Sequence, residues 1–147
     1  MSKKILIADD DRFMREMLKA LLTQAGYDVI LAEDGQSAVE MAKKESPDLI
    51  LMDGLMPRMH GFLACKAIKG QAAPPKVIIF SAVYTKPSYK WEVKNVYSAD
   101  DMLVKPFKNA ELLACIQKHL PDGRDLSSLT ALVEKRAQEE IRPVQAA

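Results

Sequence analysis

Residues 4–11 read KILIADDD, a short apolar run that stops abruptly at three aspartates. Two later segments repeat the pattern: residues 49–53, LILMD, and residues 77–81, VIIFS. Residues that are apolar at every position, rather than at alternate positions, are typical of strands in a parallel sheet covered on both faces. These runs therefore predict buried parallel strands, each with a polar residue at its carboxyl end.

Helical segments alternate with these strands along the chain. Apolar residues recur at helical spacing over residues 13–25, and Gly26 then ends the pattern. Shorter helices are predicted over residues 37–44, 62–69, 88–97 and 109–119, and two further strands over residues 29–32 and 102–104. Each helix supplies the crossover that a pair of parallel strands requires. The sequence thus predicts the α/β class, with a doubly wound parallel sheet of five strands.

Length and composition restrict the classes of function. The 147 residues suit one domain, and 48% hydrophobic with 28% charged residues is typical of a globular protein with a buried core. A net charge of +1 gives no general attraction to nucleic acids or acidic membranes, so neither direct DNA binding nor membrane association is expected. The apolar run near the N-terminus is too short for a signal peptide, and we expect a cytoplasmic protein.

Polar side chains gather where the predicted strands end. Ligands of an open parallel sheet bind beyond the carboxyl ends of its strands. The residues predicted there are Asp9, Asp10, Asp53, Ser81 and Lys105. Carboxylates about 5 Å apart repel each other by roughly 3 kcal/mol per pair at an effective dielectric near 20. Lys105 and Mg²⁺ are the candidates for the compensating charge, since Mg²⁺ binds one or two carboxylates and completes its shell with water and phosphate.

The chain lacks the glycine-rich loops that hold nucleotide phosphates. Neither G-x-x-x-x-G-K-[ST] nor a helix-opening G-x-G-x-x-G occurs. A phosphoryl group is therefore expected to become attached to a side chain, and Asp53 is the natural acceptor. Its carboxylate would attack phosphorus in line, while Mg²⁺ and Lys105 neutralise the charge on the phosphoryl oxygens.

These motifs together resemble the receiver domain of two-component response regulators. The segments that carry the resemblance are residues 5–10, residues 49–53 with Met56, Pro57 and Gly61, residues 80–82, and residues 104–107. They occur in the family's order, and the similarity covers about residues 3–120. The resemblance implies a flavodoxin-like sheet with strand order 2-1-3-4-5 and a single-domain regulator similar to those of chemotaxis.

The resemblance also implies a cation site. Asp10, Asp53 and the backbone carbonyl of Leu55 correspond to groups that bind Mg²⁺ directly, and Asp9 corresponds to an acid that assists through water. Asp11 has no counterpart in the family pattern, and we expect it to cap the first helix.

The remaining site residues correspond to groups that act on the phosphoryl group. Asp53 matches the phosphoacceptor, which takes its phosphoryl group from a phosphohistidine on a sensor histidine kinase or histidine phosphotransfer protein. Ser81 matches a hydroxyl that turns onto a phosphoryl oxygen, and Lys105 matches the lysine that pairs with the phosphoryl group. Pro106 resembles the family's cis proline.

The chain departs from the family pattern at several positions. Met102 stands where the family often has Tyr or Phe, so coupling from Ser81 to the outer face is expected to differ. Leu55 and Val83, which border the path of the hydrolytic water in the family, are both apolar here and predict slow loss of the phosphoryl group. His60 replaces a common acid and is expected to be a solvated loop residue.

Two further segments leave alternatives open. The aromatic stretch at residues 83–91 is either core packing beside the fourth helix or a surface for docking a partner. Residues 122–147 follow the predicted receiver domain, residues 1–121, and contain one amphipathic helix over residues 125–142. We expect this helix to do one of three things: pack on the receiver, form a homodimer, or dock on a partner protein.

We therefore expect a stand-alone response regulator: a phosphoacceptor switch, not an enzyme, whose output is contact with a downstream protein that the sequence does not identify. One alternative is an Mg²⁺-dependent phosphohydrolase with an aspartyl nucleophile. Such an enzyme normally has a second acid two residues after the nucleophile, where this chain has Leu55. The other alternative, a phosphorylation-independent scaffold, is disfavoured by the intact Asp10, Asp53, Ser81 and Lys105.

Overall fold

A five-stranded parallel sheet forms the centre of the protein. The computed structural model describes residues 2–82, 87–121 and 126–141. The strands lie in the order β2-β1-β3-β4-β5 and every neighbouring pair is parallel. They are β1 (Lys4–Ala8), β2 (Asp28–Ala32), β3 (Leu49–Asp53), β4 (Lys76–Ser81) and β5 (Asp101–Val104). The predicted class, strand number and strand order are confirmed.

Helices follow the strands as the alternating pattern predicts. They are α1 (Arg12–Gln24), α2 (Gly35–Glu45), α3 (Gly61–Lys69), α4 (Pro87–Asn95), α5 (Asn109–His119) and α6 (Ser127–Ile141). The side chain of Asp11 accepts a hydrogen bond from the Phe13 amide and caps α1, as expected. Within the described ranges, no helix is both long and apolar enough to cross a membrane.

The chain divides into two compact units. Met1–Pro106 holds the sheet with α1 to α4, and Phe107–Ala147 holds α5 and α6, which contact each other. The added C-terminal helix is thus present, and its described part begins at Ser127. The predicted boundary between residues 121 and 122 stays a prediction, because residues 122–125 lie outside the described part of the chain.

The core lies on both faces of the sheet. Leu6 and Ile50 pack in a cluster with residues of α2, α3 and α4. The alternate strand residues Ile5 and Leu49 face away from this cluster and are also fully buried. Two covered faces explain why the strands are apolar at every position. They also hold the strand ends, and the polar residues there, in fixed positions.

Close backbone contacts fix the turn that leaves β3. The Gly54 amide donates to the Phe80 carbonyl at 3.0 Å, and the Gly61 amide donates to the Gly54 carbonyl at 2.9 Å. A Cβ on Gly61 would lie 1.9 Å from the carbonyl oxygen of Asp53, so only glycine allows this approach. The start of α3 is therefore packed directly against the end of β3.

Gly61→Ala tests this packing. The added methyl must displace the backbone at Asp53, and we expect the free energy of unfolding to fall by about 2–3 kcal/mol. Gly70→Ala is the matched control, because Gly70 has φ −81° and a Cβ there would meet only ordinary contacts at 3.5 Å or more. Urea unfolding measures both variants, and equal stabilities would contradict the packing.

Candidate functional site

Three carboxylates meet at the carboxyl end of the sheet. Asp9 directly follows β1, Asp10 comes next, and Asp53 is the last residue of β3. One carboxylate oxygen from each of the three lies within 4.8 Å of the others. We call Asp9, Asp10 and Asp53 the acidic rim. The adjacent parallel strands β1 and β3 bring it together, as the sequence predicted.

Lys105 supplies a positive charge at the acidic rim. It directly follows β5, and its Nζ lies 3.5 Å from Asp53 Oδ2 and 3.8 Å from Asp9 Oδ2. The same Nζ lies 4.9 Å from the centre of the Phe80 ring, whose face attracts a cation. The Lys105 amide donates to the Ser81 carbonyl at 3.0 Å, which ties the lysine to the end of β4. The peptide bond to Pro106 is cis, as the resemblance implied.

Asp9 is fully buried and only half of its carboxylate is hydrogen-bonded. Asp9 Oδ1 accepts a bond from the Asp11 amide at 2.9 Å. Asp9 Oδ2 is buried without a hydrogen-bond partner in the described part of the chain. The Arg15 guanidinium donates to the Asp9 backbone carbonyl at 2.7 Å, a contact that sequence reasoning missed. A buried acceptor with unused lone pairs is costly unless a cation or donor satisfies it.

Burial and crowding raise the pKa of Asp9 to about 6, from an ordinary value of 3.8. Loss of hydration is the largest cause, and the negative charges of Asp53 and Asp10 add to it. The Asp11 amide and the Lys105 ammonium favour the charged form and offset part of this rise. The Asp11 amide and Lys105 therefore do not fully offset the cost of a charged Asp9 at this buried position.

Asp53 is mostly buried, and a small part of its side chain reaches solvent. Its side chain is 12% exposed, and its Oδ1 accepts a hydrogen bond from the Leu55 amide at 3.2 Å. Ser81 ends the neighbouring strand β4 and is buried. Leu55 is 51% exposed, at the start of the loop that follows. The structure thus gathers all the predicted site residues at one end of the sheet, whereas their individual roles stay predictions.

The structure corrects the expectation for His60. We expected a solvated loop residue, but His60 is the N-cap of α3, and its Nδ1 accepts a bond from the Leu63 amide at 3.3 Å. A neutral histidine has one ring nitrogen with a lone pair, which can accept a hydrogen bond as a capping carboxylate does. An N-cap signal before the Gly61–Lys69 helix was therefore overlooked in the sequence.

The other departures have mixed outcomes. Met102 is buried in the core cluster. Val83 lies outside the described residues, as do residues 84–86 of the aromatic stretch. Trp91, in α4, is 65% exposed, whereas the Tyr97 ring packs against Phe62 with ring centres 5.3 Å apart. The stretch and its vicinity thus contain both a surface aromatic and a core aromatic.

Comparison with known proteins identifies the family. Residues 5–117 match the family described as "Response regulator receiver domain". The chain belongs to this family. Receiver domains are phosphoacceptor switch domains of two-component signalling, and the acidic rim with Lys105 stands where the resemblance implied.

The most informative relatives include both short and long proteins. The chemotaxis protein CheY of Bacillus subtilis is 40% identical over 121 residues, which are 82% of this chain and 99% of that protein. The response regulator MprA of Mycobacterium tuberculosis is 38% identical over 115 residues, which are 78% of this chain but 49% of MprA. This receiver is thus similar to CheY over nearly the full length of CheY, and spans about half of MprA.

A solved structure of a relative contains a cation. It is a complex of CheX, CheY, BeF₃ and Mg²⁺ from Borrelia burgdorferi, and its receiver matches with a TM-score of 0.73 at 28% identity. The match covers 79% of this chain and 87% of that one.

Asp9→Asn tests the electrostatic cost of the acidic rim. The substitution removes a buried charge yet keeps an oxygen for the Asp11 amide. We expect the free energy of unfolding in metal-free buffer at pH 7 to rise by about 2 kcal/mol. Asp10→Asn, at an exposed position, is the control and should have a smaller effect.

The free energy of unfolding should also change with pH in a direction that the raised pKa of Asp9 determines. Since the folded-state pKa of Asp9 is raised, the folded protein binds more protons than the unfolded chain between about pH 4 and pH 6. Wild-type stability should therefore fall as pH rises through this window, and the advantage of Asp9→Asn should shrink below pH 6. Urea titrations at several pH values measure this, and an advantage that does not change with pH would contradict the assignment.

Proposed function

We propose that this receiver is a stand-alone response regulator in which Asp53 accepts a phosphoryl group from a phosphohistidine. The observation that carries the proposal is the pairing of Asp53 with Lys105 at 3.5 Å beside two further carboxylates. The stand-alone character is supported by the match to nearly all of Bacillus subtilis CheY. The donor would be a sensor histidine kinase or a histidine phosphotransfer protein, in the cytoplasm.

The acidic rim fits a hard divalent cation. Its oxygens lie within 4.8 Å of one another, and the buried Asp9 Oδ2 has no hydrogen-bond partner among the described residues. Asp10, Asp53 and the Leu55 carbonyl would hold Mg²⁺, with Asp9 assisting. When bound, Mg²⁺ would neutralise charge on the phosphoryl oxygens.

The transfer is a displacement at phosphorus, in which Asp53 supplies the nucleophile and the donor supplies the leaving group. A carboxylate oxygen of Asp53 attacks phosphorus, the P–N bond to the donor imidazole breaks, and an acyl phosphate forms on Asp53. The leaving imidazole nitrogen takes up a proton. Lys105, held by its backbone bond to Ser81, pairs with the phosphoryl oxygens as Asp53 loses its own charge.

The switch would arise from contacts that differ between two conformations. The Ser81 hydroxyl and the Lys105 ammonium are the groups that gain a phosphoryl partner. A change of the active state from 1% to 99% requires a preference of roughly 5.5 kcal/mol for that state. The output would be contact with a downstream protein.

Formation of the adduct tests the proposal. Incubation with phosphoramidate and Mg²⁺ should add one phosphoryl group to the wild type, measured by intact mass, and none to Asp53→Asn. Asp11→Asn is the matched control, since Asn also caps a helix well and Asp11 is exposed.

Other outcomes separate the alternatives. Turnover of the donor without an adduct would favour the aspartyl phosphohydrolase. No reaction with phosphoramidate or with a phosphorylated histidine phosphotransfer domain would favour the scaffold. An adduct that persists in Asp53→Asn would place the acceptor elsewhere.

Leu55→Asn tests the lifetime of the acyl phosphate. The Leu55 side chain is half-exposed beside Asp53 and has no polar group to orient an attacking water. An amide at this position should accelerate phosphate release about threefold to tenfold, a modest share of what a positioned polar group contributes. Leu55→Met is the apolar control. Release measured after removal of the donor, with no difference between the two variants, would refute the idea.

A further inference from the structure

An ion pair outside the acidic rim holds the loop that follows Asp53. This loop, residues 54–60, joins β3 to α3, and we call it the β3–α3 loop. At its tip, Arg58 Nη1 lies 2.9 Å from Asp34 Oδ2. The Asp34 side chain is 4% exposed, whereas that of Arg58 is 72% exposed. The exposed arginine thus reaches to a carboxylate that is buried in the protein.

The Asp34 side chain is also held by a second interaction, with the start of α2. It is the N-cap of α2, and its Oδ1 accepts a bond from the Ser37 amide at 2.7 Å. This bond, aided by the Arg58 charge, lowers the pKa of Asp34 below its ordinary value despite burial. The carboxylate is therefore a rigid, charged anchor for Arg58.

The backbone at the loop tip has an unfavourable conformation that requires stabilising contacts. Arg58 has φ 66°, in the left-handed region that non-glycine residues rarely occupy. The next carbonyl, that of Met59, packs so closely on α2 that a Cβ on Gly35 would lie 1.8 Å from its oxygen. Such a conformation persists only where surrounding contacts impose it. The Arg58–Asp34 ion pair and the packing of the Met59 carbonyl against Gly35 are contacts of that kind.

Hydrogen bonds also fix the base of the loop, where the chain leaves β3. The Leu55 amide donates to Asp53 Oδ1 at 3.2 Å, and the Gly61 amide donates to the Gly54 carbonyl at 2.9 Å. Leu55 therefore lies in a segment that is held at its base by β3 and at its tip by α2.

We propose that Arg58 is a positioning residue for the cation site, because its ion pair with Asp34 sets the conformation of the loop that presents the Leu55 carbonyl. The proposal rests on the proposed function, in which that carbonyl binds Mg²⁺. No hydrogen bond or ion pair joins Arg58 to the acidic rim among the described residues, so Arg58 would act through the loop. Residues that orient a metal ligand from outside the coordination shell typically change metal affinity by tenfold or more.

The sign of the effect separates positioning from simple charge. If only the electric field mattered, removal of the Arg58 charge would strengthen Mg²⁺ binding and removal of the Asp34 charge would weaken it. If the pair positions the loop, both substitutions weaken binding, and the double substitution weakens it no further than either single one.

The experiment compares Arg58→Gln, Asp34→Asn and the double variant with the wild type. Asn is as good an N-cap as Asp, so α2 should persist in the Asp34→Asn variant. Lys44→Gln, which removes an exposed positive charge from α2, is the control. Mg²⁺ affinity is measured by titration calorimetry, and amide hydrogen exchange at Leu55 and Met59 is measured in metal-free protein.

We expect about threefold to tenfold weaker Mg²⁺ binding in all three variants of the pair, together with faster exchange at Leu55 and Met59. The control should match the wild type in both measurements. Unchanged exchange, or faster exchange with unchanged or tighter Mg²⁺ binding, would overturn the positioning role. A wild type that does not bind Mg²⁺ would overturn the proposed function and the inference together, whereas equal binding by wild type and variants would overturn the inference alone.

Discussion

Repulsion among three carboxylates is the constraint on which the rest of this structure depends. Asp9, Asp10 and Asp53 have oxygens within 4.8 Å of one another, and Lys105 is the cation whose ion pairs join two of them. The compensation is incomplete, because the pKa of Asp9 is raised and its Oδ2 accepts no hydrogen bond from the described residues. The folded protein therefore holds a site that is unfavourable by itself, and relief of this repulsion would strengthen the binding of the proposed cation.

Such a site persists only where the backbone cannot relax. Asp9 and Asp53 extend or end β1 and β3, neighbouring strands whose faces are both buried, so moving either residue would disrupt the core. The glycine contacts at Gly54 and Gly61 then fix the chain where it leaves β3. Because packing holds the carboxylates in place, the cost of burying Asp9, increased by repulsion from Asp53 and Asp10, is expressed as a raised pKa of Asp9.

The sequence predicted the parts of the molecule that follow from periodicity. Uninterrupted apolar runs predicted the parallel strands. The polar residues at or just after the strand ends predicted Asp9, Asp53, Ser81 and Lys105 as neighbours, because parallel strands end at the same edge. Contacts between distant segments have no such signal. The Arg58–Asp34 pair joins residues 24 positions apart, and the Arg15 bond to the Asp9 carbonyl depends on the side-chain direction at the start of α1. The expectation for His60 was wrong because the Nδ1 lone pair of His60 accepts a hydrogen bond from the Leu63 amide.

The predictable and unpredictable residues belong to two different parts of the site, the strand ends and the β3–α3 loop. The strand ends carry the charges, and the core holds them so firmly that any change there alters stability as well as chemistry. The β3–α3 loop is held at its tip by the ion pair of the exposed Arg58 with Asp34, and it is in this loop that Leu55 and His60 depart from the family pattern. A substitution in the loop can change how a ligand is presented or how water reaches Asp53 while the acidic rim stays intact. Under the proposed function, cation affinity and phosphoryl lifetime would therefore be adjustable in this chain independently of the residues proposed to carry out phosphorylation.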